Sequence, residues 1–311
     1  MDDKDLKDFS NKVREVLDVS ERETDRMFLK SSLIAFAFVL LIFIAPSFFP
    51  KDKVVVTQEV ILKPYSDEEV LTSLGINALG VVVKEINSLA PLLEREGDKQ
   101  WPVASLTKIM SSLIATENFG LGTYVPISTE AVLTEGVSGN FRSGESFTVE
   151  DLVKSMMVVS SNDGAFALYE YGEREEFTAK MNLKAESLGM SKTSFSDPTG
   201  LSYLNVSTPN DLQKLVQYVY SKQPFIFDIS REKAVIIHDN TTGTSRALEN
   251  INSFSGVDNF LGGKTGYTDE AGQNLLSLFS HNNRTFMIIV FGSEDRFNET
   301  QRLYDWLVSY L

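Results

Sequence analysis

Twenty consecutive residues without a charge, Ser31 to Pro50 (SSLIAFAFVLLIFIAPSFFP), constrain this chain more than any other feature. Coiled as a helix, that run spans about 30 Å, the hydrocarbon thickness of a bilayer. A helix also satisfies every backbone polar group internally, as lipid demands. The run therefore reads as one transmembrane anchor. A buried core helix and a cleaved signal peptide are the alternatives. Against cleavage, 30 residues rich in acids precede the run, and Phe48, Phe49 and Pro50 crowd the position a cleavage site needs. Arg22, Arg26 and Lys30 lie before it and Lys51, Lys53 and Lys63 after it, so the balance of positive charge does not set the orientation.

The anchor divides the chain. Residues 1–30 form a charged tail in which Leu6, Phe9, Val13, Val16 and Leu17 recur at near-helical spacing, too polar to hold a core. Residues 51–72 mix charge with Val, Thr and Pro64 and read as a linker; residues 73–311 are long enough for one sizeable domain. With 29 basic and 43 acidic residues the net charge is −14, which argues against nucleic acid as a partner. No cysteine is present, which removes disulfides, thiolate metal sites and a cysteine nucleophile. His238 and His281 have no metal-ligand spacing, and no metal or cofactor is expected.

Within 73–311 the pattern is α+β. Ala78–Ile86 is an apolar, β-branched strand. Ala104–Glu117 carries Leu106, Ile109, Met110, Leu113 and Ile114 at helical spacing. Thr148 to Asp151 resembles a capping box opening a helix through Met157, and a second apolar helix runs from about Gly164 to Tyr171. Thr208 followed by Pro209 starts a helix with Leu212, Leu215, Val216 and Val219 as its buried stripe. Leu275–Ser280 and Thr285–Phe291 form an antiparallel hairpin, and a closing helix runs from about Glu294 to Leu311. The first strand is expected to join the sheet built by the last ones.

Three polar constellations interrupt this framework. In Ser105-Leu-Thr-Lys108, positions i and i+3 share a helix face, so hydroxyl and amine can meet. An amine made neutral by burial can take the serine proton. Ser160-Ser161-Asn162 lies at the break between two helices, where a hydroxyl and an amide could relay a proton and hold a substrate amide. In Gly262-Gly-Lys-Thr-Gly-Tyr-Thr268, glycines flank a Lys-Thr pair beside an apolar strand; a strand edge accepts an incoming peptide, and Gly permits close approach. Each alone also fits an ordinary element: a helix cap with a solvated Lys, a polar turn, a Gly-rich hairpin.

Together and in this order, the motifs resemble the S-x-x-K, S-x-N and K-T-G set of the β-lactamase and penicillin-binding superfamily, and more closely its serine D-alanyl-D-alanine carboxypeptidases. The resemblance runs from about Leu79 to Trp306 and includes Ser143–Asp151, Asp197-Pro-Thr-Gly-Leu201 and Gly263–Gly272. It implies an antiparallel sheet flanked by helices with an inserted helical lobe. It implies Ser105 as acylated nucleophile, Lys108 as general base, Ser160 passing the proton to the leaving group and Asn162 orienting the substrate. Lys264, Thr265, Gly266, Tyr267 and Thr268 would bind substrate. The Ser105 and Tyr267 N–H groups would form the oxyanion hole, and Arg296 would attract the substrate carboxylate. The implied partners are peptidoglycan stem peptides, β-lactams as covalent inhibitors, and a bilayer through residues 31–50. The implied location is the cytoplasmic membrane, with a single pass and the domain outside.

Two departures bear on this. Ser161 stands where β-lactamases have Asp, and the E-x-x-L-N pattern for deacylation is missing: three residues before Leu204-Asn205 stands Leu201. A D,D-endopeptidase, a class A-like β-lactamase and a non-catalytic penicillin- or wall-binding module remain the rival readings.

Overall fold

A computed structural model of the chain describes residues 65–311. It opens with α1 (Asp67–Ser73), whose capping box pairs the Ser66 hydroxyl with the Glu69 backbone and the Glu69 carboxylate with the Ser66 N–H. Five strands then build the main sheet: β1 (Gly80–Glu85) and β2 (Leu93–Arg95) from the start of the domain, and three longer ones from its end. Between these groups lie the short strands β3 (Trp101–Pro102), β4 (Tyr124–Pro126), β5 (Ser146–Thr148) and β6 (Val206–Ser207), then the hairpin β7 (Ala234–His238) and β8 (Ser245–Glu249). The long strands are β9 (Phe260–Thr268), β10 (Gly272–His281) and β11 (Arg284–Ser293). The order is β2-β1-β11-β10-β9, antiparallel throughout, with β1 paired to β11 as expected from the sequence.

Both faces of this sheet are covered, so its central strands are apolar at nearly every position. Alternate side chains serve opposite layers. Val81, Val83, Phe286, Ile288 and Val290 pack with Leu303, Tyr304 and Leu307 of the closing helix α9 (Arg296–Tyr310) and with Leu71 of α1. Val82, Met287, Ile289 and Phe291 face the helical lobe instead. That lobe contains α2 (Thr107–Phe119), α3 (Thr129–Val132), α4 (Val149–Val158), α5 (Asn162–Tyr171), α6 (Arg174–Ser187), α7 (Pro209–Lys222) and α8 (Phe225–Arg231). Helix α2 runs through its middle, buried on all sides from Thr107 to Ala115.

Most sequence-derived elements lie where expected, with instructive differences. The packed domain reaches back into the span read as linker, because Leu71 of α1 is fully buried against the sheet. Helix α6 escaped detection because it buries only Phe177, Met181 and Ala185, too sparse a stripe. The Thr148 hydroxyl caps α4 by accepting from the Asp151 N–H, but the Asp151 carboxylate turns to Lys154 and to the His238 N–H, so the box is half-formed. The β10–β11 turn puts Asn282 and Asn283 at φ 49° and 59°, the left-handed pair that a two-residue type I′ turn requires. The tail and anchor (residues 1–50) lie outside the described residues, among which no helix is long and apolar enough to cross a membrane.

Phe279 ties β10 to its outer layer: its ring lies 4.6 Å from Tyr304, 5.3 Å from Phe254 and 5.6 Å from Phe260, centroid to centroid. Phe279→Ala should lower unfolding free energy by about 3–5 kcal/mol, as for other buried aromatic truncations. Urea denaturation checks this; a loss below about 1 kcal/mol would show that the cluster does not clamp the sheet to α9.

Candidate active site

Ser105 sits on a single 3₁₀ turn, Ala104–Leu106, that leads into α2. Two other segments close on this turn, and both approach with glycine. A Cβ placed on Gly200 would lie 2.0 Å from the Ala104 carbonyl oxygen and 2.9 Å from the Ser105 nitrogen. One placed on Gly266 would lie 2.8 Å from the Val103 carbonyl oxygen. No side chain fits at either position, so the backbones of the Asp197–Leu201 turn and of β9 lie directly against the serine. Ala104 itself is held at φ 48°, in the sparsely populated left-handed region.

One helical turn on, Lys108 is fully buried. Its Nζ donates to Ser105 Oγ at 3.0 Å, to Asn162 Oδ1 at 2.6 Å and to the Thr199 carbonyl at 2.6 Å. Burial pulls its pKa down to about 7, opposed by the charges of Asp197 and Asp163. The two acceptors are themselves fixed. Asn162 donates through Nδ2 to the Glu135 carbonyl (2.7 Å) and through its backbone N–H to the Val137 carbonyl (2.8 Å). Thr199 sits in a turn closed by Asp197, whose carboxylate accepts from the Thr199 N–H (2.7 Å), the Thr199 hydroxyl (2.6 Å), the Gly200 N–H (2.7 Å) and the Ser202 N–H (2.9 Å).

A second buried lysine faces the same centre. Lys264 lies on β9 opposite Leu276, a position that directs it toward the helical lobe. Its Nζ donates to Ser160 Oγ at 2.8 Å and to the Thr265 carbonyl at 2.9 Å. Desolvation, then the neighbouring charges of Lys108 and Arg296, push its pKa well below the ordinary lysine range. Ser160 is buried at the α4–α5 break with φ 64°; the strained backbone turns its hydroxyl to Lys264. Arg296, the first residue of α9, donates through Nη1 to the Gly266 carbonyl at 2.8 Å, and burial lowers its pKa. Its Nε is buried without a protein partner.

The fold thus gathers Ser105, Lys108, Ser160, Asn162, Lys264 and Arg296 from four separate segments, with Lys108 bonded to Ser105 and Asn162, Lys264 to Ser160, and Arg296 to the Gly266 carbonyl. Thr265 is buried beside Lys264 on β9, which forms one edge of the sheet. Tyr267 is exposed and its hydroxyl bonds to Asp269, while the Thr268 hydroxyl accepts from the Ala271 N–H within the β9–β10 turn. What sequence reasoning left without a role was the Thr199 carbonyl and the two carboxylates facing Lys108. The Asp-Pro-Thr-Gly turn was the available signal, since Asp followed by turn residues binds its own downstream N–H groups. Among the described residues no cluster of His, Cys, Asp and Glu could hold a metal.

A family model described as D-alanyl-D-alanine carboxypeptidase matches residues 67–295, most of the chain. The chain belongs to that family. It is 32% identical over 238 residues to a D-alanyl-D-alanine endopeptidase of Pseudomonas aeruginosa, covering 73% of this chain and 76% of the relative. It is 26% identical over 292 residues to the D-alanyl-D-alanine carboxypeptidase DacF of Bacillus subtilis, covering 87% and 69%. Among solved structures it is similar to penicillin-binding protein D2 of Listeria monocytogenes in its ampicillin-bound form, with a TM-score of 0.61, 26% identity, and coverage of 78% of this chain and 98% of that one.

The electrostatics carry a pH dependence. A lysine amine can take a proton from a serine hydroxyl only when it is neutral, and for Lys108 the neutral form predominates above about pH 7. Covalent reaction of Ser105 with a fluorescent penicillin should therefore speed up as pH rises through about 7 and then level off. A rate constant that is flat from pH 5 to pH 9 would contradict this.

Proposed function

We propose that this protein is a membrane-anchored serine D,D-carboxypeptidase that removes the terminal D-alanine from peptidoglycan stem peptides through an acyl-enzyme. The observation that carries the reading is the 3.0 Å contact between Ser105 Oγ and the buried Lys108, its pKa lowered to about 7, beside the edge strand β9. A peptide adding to that edge brings its scissile carbonyl to Ser105. Lys108 takes the hydroxyl proton as Oγ attacks. The Ser105 and Tyr267 N–H groups receive the oxyanion. Ser160, joined to Lys264, hands a proton to the departing D-alanine amine as the peptide C–N bond breaks. Water then releases the acyl group.

A β-lactam enters the same route, but its ring keeps the leaving amine tethered. The penicilloyl ester should persist because the carboxylates nearest Lys108 are committed elsewhere. Asp197 closes its own turn, and Asp163 accepts from Ser138 Oγ (2.5 Å) and the Gly139 N–H (2.8 Å). Asn205, of the Leu204-Asn205 pair, is buried as a strut donating to the Asp197 carbonyl (2.9 Å) and Thr107 Oγ1 (3.1 Å).

An exopeptidase must read a free terminal carboxylate. The unpartnered Arg296 Nε, with Thr265 on the edge strand, supports that specificity. The endopeptidase reading stays in view because the Pseudomonas relative bears that name. A charge-assisted hydrogen bond of this kind contributes roughly 1.5–3 kcal/mol. Converting the substrate terminus to an amide should therefore cut kcat/KM about ten- to a hundredfold, and Thr265→Val should erase most of that difference. Equal turnover of acid and amide, or cleavage of cross-linked dimers alone, would replace the carboxypeptidase by the endopeptidase. Fluorescent penicillin should label the wild type and not Ser105→Ala; labelling that survives the substitution removes Ser105 as nucleophile.

The location is part of the proposal. Peptidoglycan lies outside the cytoplasmic membrane, so the domain is placed outside and residues 1–30 in the cytoplasm. Protease added to spheroplasts should digest the domain after Lys51. Clipping confined to the first 30 residues would reverse the orientation.

A further inference from the structure

Two segments hold the Lys108 amine, and a carboxylate anchors each: Asp163, which is buried, and Asp197, which is partly exposed. On one side, Asp163, next to Asn162 in the first turn of α5, ties that helix start to the loop of Ser138 and Gly139. On the other, Asp197 receives four hydrogen bonds from three residues, Thr199, Gly200 and Ser202, and so aims the Thr199 carbonyl at Nζ. The same turn places Gly200 against the Ala104–Ser105 backbone, so its geometry bears on nucleophile and base together.

We propose that Asp197 is a positioning residue for the reaction: it holds the Thr199 acceptor on Lys108 and presents negative charge to the buried amine. This rests on the reading of Ser105 and Lys108 as nucleophile and base. The need for such a residue follows from the burial of Lys108, which is the largest influence on the amine and expels its proton. Unopposed, burial would leave an amine too weakly basic to take the serine proton. Asp197 and Asp163 oppose it.

The test compares the second-order rate of penicillin acylation between pH 5 and pH 9 for the full-length chain in detergent, as wild type and as Asp197→Asn, Asp197→Glu and Asp163→Asn. The Asn side chain at 197 retains an acceptor for the turn but loses the charge. Its acid limb should shift down by about one pH unit, and its plateau should fall because a less basic amine is a weaker base. Asp197→Glu keeps the charge and displaces the turn, so it should hold the wild-type midpoint while lowering the plateau. Asp163→Asn removes the opposing charge from the other loop and should shift the midpoint down as well, a result that does not depend on the 197 variants folding. A plateau that falls in Asp197→Asn with an unmoved midpoint, or a midpoint that moves up, overturns the proposal and leaves Asp197 as a structural turn residue only. Failure of penicillin to acylate the wild type at any pH overturns instead the assignment of Ser105 and Lys108.

Discussion

Desolvation of two lysine amines is the constraint around which the rest of the domain is arranged. Removing an ammonium group from water is costly unless it finds hydrogen-bond partners or gives up its proton. Lys108 and Lys264 do both: each is surrounded by oxygen acceptors and each has a lowered pKa. Helix α2 has to be buried on all sides to keep Lys108 dry. Strand β9 has to lie against the lobe for Lys264 to reach Ser160. The two glycine contacts at Ser105 are the geometric counterpart, since a dry amine is useful only if the hydroxyl is held within reach of it.

The three motifs were legible in the sequence because each packs several constraints into a few residues. Ser105 and Lys108 had to share a helix face, and the Gly-Lys-Thr-Gly run had to lie on a strand whose backbone could be approached. The sheet was legible for a related reason. Strands buried on both faces are apolar at successive positions, and the Asn282-Asn283 turn marks the hairpin between β10 and β11. What escaped was information carried by backbone atoms and by distance along the chain. The Thr199 carbonyl has no side-chain signature, and it reaches Lys108 from 91 residues away. Helix α6 and the β7–β8 hairpin expose much of their length, so their burial patterns are weak.

The family relationship and the geometry bear on different questions. Membership rests on a match across most of the domain and fixes the chemistry broadly as D-alanyl-D-alanine peptidase chemistry. On the proposed reading, the preference between a chain end and a cross-link rests on a few atoms at the rim, above all the Arg296 guanidinium and the residues of β9. Relatives bearing both kinds of name stand at comparable similarity, which is the expected result when two substrates share one acylation machinery.

The edge position of β9 has a consequence for the protein's behaviour at high concentration. An unpaired strand edge is as ready to receive the edge of another copy as a peptide, and long, flat, apolar edges promote aggregation. This edge carries its own safeguards. Helix α8 covers its start, where the Ser230 hydroxyl accepts from the Gly263 N–H (2.9 Å), the residues on either side of Lys264 are glycine and threonine, and the register slips where Leu278 gives way to Phe279 on the neighbouring strand. An edge built this way discourages extended pairing with its own kind while leaving a few residues free for a short ligand. The glycines that let a ligand approach the strand also keep it from offering a long apolar edge to another copy.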